Sequence, residues 1–175
     1  MQKWIMDGAH SEVSFKVKHL MVSTVRGKFN SFEGSIELPA EDLEKAVINF
    51  SAETKSIDTG NAMRDGHLQS ADFFNAESFP TLSFKSTSIV KENDEKFKVT
   101  GELNMHGITK EIILDATLNG IITGMNETKV MGLEATGILS RQDFGLTWNA
   151  PIEKGGVVVS DEVKIEINAE FKEEK

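Results

Sequence analysis

EVKIEINAEFK, Glu162 to Lys172, alternates without exception: Val163, Ile165, Ile167, Ala169 and Phe171 on one side, Glu162, Lys164, Glu166, Asn168, Glu170 and Lys172 on the other. A period of two is the signature of a strand with one apolar and one wet face. Strands of parallel α/β sheets are apolar on both faces, so the pattern points to antiparallel sheet. The same alternation recurs upstream. Val13, Phe15, Val17, His19 and Met21 oppose Ser14, Lys16 and Lys18; Leu82, Phe84, Ser86 and Ser88 share a face. Phe97, Val99, Gly101, Leu103 and Met105 repeat it, as do Met131, Leu133, Ala135, Gly137 and Leu139. Eight strand candidates follow, at 11–21, 25–38, 46–55, 81–90, 96–106, 110–122, 130–141 and 157–172. Several exceed the usual five or six residues. Long strands with little helix between them favour an extended eight-stranded antiparallel barrel, which has no free edges and whose lumen can hold one small ligand. The fold class is all-β.

Two segments break the alternation. Glu41 to Lys45 reads as one helical turn. Asn61 to Phe74 reads as one short helix, with Asn61 as N-cap and Met63, His67, Ala71 and Phe74 near one face. Pro80 stops any helix and opens the next strand. A long ordered excursion in an all-β chain usually covers or builds a site. No repeat, linker or low-complexity tract divides the chain, so residues 1–175 are expected to form a single domain.

The composition excludes whole classes. There is no cysteine, hence no disulfide, thiolate nucleophile or Cys-ligated metal. Nineteen Lys and Arg against 28 Asp and Glu give a net charge of -9, which repels a phosphate backbone and argues for no nucleic acid as partner. No apolar run approaches the roughly 18 residues of a membrane helix. The first strand begins almost at once, with Trp4 and Ile5, leaving no room for a signal peptide, so a cytoplasmic location is expected.

Four stretches carry a resemblance. WIMDGAHSEVSFKVKHLMVSTVRGKFNSFEGSIEL (4–38), SIDTGNAMRDGHLQSADFFNAESFPTLSFKST (56–87), GELNMHGITKEIIL (101–114) and SRQDFGL (140–146) stand in the order seen in YceI-like proteins. The chain resembles that family from about Trp4 to Phe171. The resemblance implies a lipocalin-like barrel whose apolar lumen binds a polyisoprenoid, an isoprenoid quinone or another long-chain lipid. It also implies a homodimer. Many members of the family carry a secretory leader, and none is expected here.

Alternation by itself turns Phe15, Val17, Phe84, Leu103, Leu114, Leu133, Val163, Ile165 and Ile167 inward, either as a filled core or as a tunnel wall. The resemblance favours the tunnel. An apolar tail would gain about 0.8 kcal/mol per buried methylene there. His19 and His67, together with His10, are candidates for contacting a head group, and Trp148 for plugging a barrel mouth. The four histidines show no HExxH or His-x-His spacing, so no metal is expected. Asp58, Arg64 and Asp65 read as a lid lock, with Arg64 bonding back to Asp58 or to strand-end carbonyls, and Arg141 with Asp143 as a turn or strand-end ion pair. No GxSxG occurs, and Gly155-Gly156 lacks the GxGxxG spacing. No catalytic residue and no cofactor is assigned. The leading expectation is a lipid carrier or store making transient membrane contact for lipid exchange. Its rivals are an interaction module with a filled core and an enzyme using His67 with Asp65.

Overall fold

The computed structural model describes residues 1–39, 42–152 and 155–175. Its strands are β1 (Gln2–Met6), β2 (Glu12–His19), β3 (Ser23–Phe29), β4 (Phe32–Leu38), β5 (Val47–Glu53), β6 (Ile57–Asp58), β7 (Thr81–Lys91), β8 (Lys96–Met105), β9 (Ile108–Thr123), β10 (Lys129–Ser140) and β11 (Val159–Glu173). One α-helix, α1 (Ala62–Gln69), lies between β6 and β7.

All pairings are antiparallel, and the order β1-β4-β5-β7-β8-β9-β10-β11 closes because β1 also pairs with β11. The barrel has eight staves although the described residues form eleven strands. The same edge of β11 takes β2 along 159–168 and β1 along 171–173, so β1 and β2 are two halves of one bent stave. β3 and β4 are likewise one stave, and β6 extends β5 by pairing with β3.

The expected single strand over 25–38 is therefore broken, at Asn30 and Ser31. Their backbone groups pair outside the ladder: the Asn30 N–H donates to the Ser56 carbonyl (3.1 Å) and the Ser31 carbonyl accepts from the Glu53 N–H (2.9 Å). A second correction concerns parity. The β7–β8 register shifts between Ser86 and Ser88, so Ser88 is exposed and Ile89 is buried. One extra residue in a strand carries every later side chain to the other face. Ser86 itself is buried, and its hydroxyl accepts from the Ile48 N–H at 2.8 Å. The strand expected over 11–21 ends at His19. Leu20 and Met21 form a turn with φ of 51° and 62°, which leaves Met21 exposed rather than inward.

α1 is capped as its sequence suggests, with the Asn61 side-chain oxygen accepting from the Arg64 N–H (3.0 Å). It ends at Gln69, short of Phe74. The Ser70 hydroxyl donates to the His67 carbonyl (2.6 Å), and Asn75 turns the chain at φ 48°. Met63 is consequently 88% exposed, while Leu68, Phe73 and Phe74 reach the core. Of the turn expected over 41–45, Leu43–Lys45 forms a 3₁₀ turn, and Glu41 lies outside the described residues.

The lower end of the barrel is solid. Trp4, Leu38, Ile89, Phe97 and Met131 are buried there in one cluster. Beside it a polar clasp ties the bend between β1 and β2 to β11. The Asp7 carboxylate accepts from the Lys172 ammonium, from His10 (2.9 Å) and from the Ala9 N–H (3.0 Å). The Lys172 ammonium, followed by His10, holds the Asp7 carboxyl well below the ordinary carboxylate range. Asp7 in turn raises His10 above its usual value. A depressed carboxyl stabilises the fold above its unfolded pKa of about 4, and that contribution is lost as pH falls through the folded value. The His10 contribution runs the other way, present below about 6.5 and lost as pH rises through its folded value. Asp7→Asn is expected to lower Tm at neutral pH, with the two melting curves converging as pH drops below about 4. Thermal melts across that range check it, and parallel curves at all pH would refute the clasp.

Candidate functional site

Above the solid end the barrel is hollow. The cavity volume is about 230 Å³. Its wall is apolar apart from Ser14, Glu134 and Arg141. The Ser14 hydroxyl is bonded away, to the Glu166 carbonyl at 3.1 Å. The wall draws on nearly every stave: Phe15 and Val17 from β2, Phe84 from β7, Leu103 from β8, Leu114 from β9, Leu133 from β10, and Val163, Ile165 and Ile167 from β11. All nine residues turned inward by alternation thus line the cavity. Two glycines keep its aromatic wall in place. A Cβ at Gly27 would meet the Phe15 ring at 2.3 Å, and one at Gly101 would meet the Phe84 ring at 2.3 Å. Each ring lies across the bare backbone of the neighbouring strand.

The roof is the excursion between β6 and β7. Leu68 of α1 and Phe73 and Phe74 behind it line the cavity from above. The helix is locked to the strand end at Thr59: of the two expected partners of Arg64, Asp58 or a strand-end carbonyl, it is the carbonyl that is bonded. Arg64 Nε donates to the Thr59 hydroxyl (2.7 Å) and Nη2 to the Thr59 carbonyl (2.8 Å), while Asp65 accepts from the Thr59 N–H (2.8 Å) and hydroxyl (2.6 Å). Asp58 instead accepts from Asn30 (3.2 Å) and from the Gly60 N–H (2.9 Å). These bonds, the Gly60 N–H first, hold its carboxyl below the ordinary value.

Three of the twelve expected binding residues do not line the cavity. His19 is half-buried at the end of β2, opposite Val159 and Ser23. His67 and Trp148 form a rim cluster with Phe73. The His67 ring stands edge-on to Trp148 at 4.8 Å and to Phe73 at 5.1 Å, and Trp148 lies 5.4 Å from Phe73. His67 Nε2 pairs with Asp72 at 2.9 Å, not with Asp65, because Asp65 is turned to Thr59 on the opposite side of the helix start. The acid–base pairing of His67 with Asp65 is therefore not formed.

Arg141 is the main departure from the sequence reading. It is 4% exposed and makes no pair with Asp143. Its guanidinium donates to four carbonyls: Nε to Ser160 (2.9 Å), Nη1 to Leu146 (2.6 Å) and Trp148 (2.9 Å), and Nη2 to Val159 (3.2 Å). Burial pulls its pKa down, with the Asp161 charge opposing. Arg141 thus ties the backbone at Leu146 and Trp148 to the start of β11 at the barrel mouth. Among the described residues one His–carboxylate group, Asp7, His10 and Glu170, brings its ligating atoms within 4.8 Å, but the Lys172 ammonium already sits on Asp7.

Sequence reasoning missed Leu68, Phe73, Phe74 and Arg141 as lining residues. The Phe73-Phe74 doublet in a polar loop was a usable signal. Arg141 carried none, because its partners are backbone carbonyls.

Known proteins share this architecture. The YceI-like domain matches residues 4–171 of the chain. A UPF0312 protein of Staphylococcus aureus strain N315 is 37% identical over 172 residues, 98% of each chain. The Campylobacter jejuni YceI protein superposes with a TM-score of 0.79 at 33% identity, over 97% of this chain and 96% of that one. A polyisoprenoid binding domain from Saccharophagus degradans superposes with a TM-score of 0.70 at 13% identity, over 96% and 97%, a likeness of fold alone.

Proposed function

The chain belongs to the YceI-like family, and from that premise we propose that it binds a long-chain amphiphile, a polyisoprenoid, an isoprenoid quinone or a fatty-acid derivative, tail inward in the barrel, as a carrier or store. The roofed apolar cavity carries this reading. A preformed dry cavity binds by apolar burial, and each methylene taken from water contributes about 0.8 kcal/mol. With so few polar groups in the wall, nothing dictates a tail of one chemistry, which suits a chain-like ligand better than a compact polar one. The solid lower end sets how deep a tail can go, and the rim cluster of His67, Trp148 and Phe73 is where a polar head would emerge. The fold neighbour described as a polyisoprenoid binding domain supports the same ligand class. The cavity speaks against the filled-core reading, and the turn of Asp65 away from His67 against the acid–base one.

Native mass spectrometry of gently purified protein, then organic extraction, tests the proposal. A stoichiometric prenyl or acyl lipid is the expected result, on a species of dimer mass. A bare mass that stays bare after incubation with isoprenoid quinones and fatty acids would overturn it.

A further inference from the structure

The tip of the β2–β3 hairpin breaks a local rule. Two-residue hairpin turns of this hand need positive φ at both central positions, which favours glycine and asparagine. The β8–β9 hairpin obeys, with His106 at φ 56° and Gly107 at 73°. The β2–β3 connection has three residues between the paired His19 and Ser23, and its tight turn, closed by the Val22 N–H on the His19 carbonyl at 3.2 Å, puts Leu20 and Met21 at the matching positions, at 51° and 62°. Burial does not explain the choice: Leu20 is 39%, Met21 61% and Val22 84% exposed. Bulky apolar residues held in a left-handed turn and left in water go against both backbone preference and hydration, and such conflicts gather at functional surfaces.

The tip is also braced. The Leu20 N–H donates to the Val158 carbonyl at 2.8 Å, and the Met21 sulfur lies so near Gly156 that a Cβ there would meet it at 2.5 Å. Val157, 38% exposed, extends the apolar surface. This rim borders the hollow end, since Val17 and Val159, just below the tip, line the cavity.

Charge adds an independent observation. The chain carries -9 overall, yet the outer face beneath the tip is basic. Lys16 on β2 stands between Arg26 on β3 and Lys164 on β11, Lys28 follows Arg26 along β3, and Lys18 lies nearest the tip, its ammonium bonded to Thr24. Three acids stand among these five bases: Glu166 pairs with Lys16 and Arg26, Asp58 lies opposite Lys28, and the exposed Glu162 shares the outer face of β11 with Lys164, nearer the tip.

We infer that the β2–β3 hairpin is a docking finger for an anionic lipid bilayer: Leu20, Met21 and Val22 enter the interfacial layer while the basic strip meets the head groups. Apolar burial and attraction to anionic lipid act together in such binding. Docked this way, the barrel mouth faces the phase that stores its ligand. The inference rests on the lipid-binding reading for its purpose, but its test does not.

The test is flotation of the full chain with vesicles of equal parts phosphatidylglycerol and phosphatidylcholine, against phosphatidylcholine alone. Wild type is expected to float with the anionic vesicles only, less so as salt rises. The double variant Met21→Asp, Val22→Asp should lose at least about tenfold in vesicle affinity, and Lys18→Glu with Lys164→Glu a comparable factor. Replacing Leu20 by Asn and Met21 by Gly should raise Tm while also losing vesicle binding, which separates docking from folding. Both tip variants should still take up an isoprenoid quinone added from solvent. Wild type that ignores anionic vesicles, or tip variants that bind them as well as wild type, would overturn the finger. So would a dimer in sedimentation that the aspartate pair dissociates without any vesicle binding by wild type, since the tip would then cover a second copy. Failure of quinone uptake by every protein, with vesicle binding intact, would instead sink the lipid-carrier reading and leave the docking surface standing.

Discussion

Ala135→Phe is expected to cut tail binding by about 100-fold while leaving the melting temperature at or above that of the parent. Ala135 on β10 faces Ala116 on β9 in register, and both line the cavity. With Ala169 they are the smallest side chains in its wall, and unlike Ala169 both are only half-buried, since they border open space. A phenyl ring placed there fills lumen that a ligand tail would use. Excluding four carbons of tail forfeits about 3 kcal/mol at about 0.8 per methylene, which is on the order of 100-fold in Kd. The same ring gains contacts in the free protein, so stability does not suffer as it would in a full core. Ala116→Phe should act alike. Thr136→Phe, one residue along on the exposed face, should leave binding unchanged. Quinone titration by fluorescence quenching with parallel melts decides the matter. Full binding by both lumen variants would mean that the ligand sits elsewhere.

Arg141→Ala is expected to be the most destabilising polar substitution, at about 3–5 kcal/mol, because it orphans buried partners rather than removing a surface ion pair. The carbonyls of Leu146, Trp148 and Ser160 lose this donor at once, while that of Val159 keeps the Asn149 side-chain amide at 2.7 Å. For a chain of this size that corresponds to a Tm lower by about 10 °C or more. Arg141→Lys should recover only part of it, since one ammonium cannot reach carbonyls spread around a planar fork. Asp143→Ala, by contrast, should cost little, because Asp143 has no part in holding the arginine. Chemical denaturation of the three variants reads this directly, and an Arg141→Ala protein as stable as Asp143→Ala would refute the account.

Much of the barrel was legible before any coordinates. Val163, Ile165 and Ile167 point inward because the pleat alternates side chains, and the pleat depends on nothing distant. Asn61 caps α1 through a bond to a residue three positions away, again a local matter. Legibility failed where the ladder is interrupted. The extra residue at Thr87 reversed the parity of Ser88 and Ile89, and Asn30 and Ser31 broke a stave because their backbone groups found partners near Ser56 and Glu53. His67 reads from the sequence as a head-group contact, and only the rival enzyme reading pairs it with Asp65; the end of the helix at Gln69 brings Asp72 round to it instead.

Strand periodicity, the antiparallel closed architecture it favours and nine apolar residues of the inner wall are written in the order of residues. The packed lower barrel, the hollow above it, the roof of Phe73 and Phe74, and the service of Arg141 to four carbonyls instead of a carboxylate emerge on folding. The reason is physical. Alternation follows from backbone geometry within a few residues, whereas a cavity is the difference between two large volumes, the space enclosed by the staves and the side chains that fill it. Orphan carbonyls likewise come into being only when distant loops meet, so no spacing along the chain announces the residue that must satisfy them.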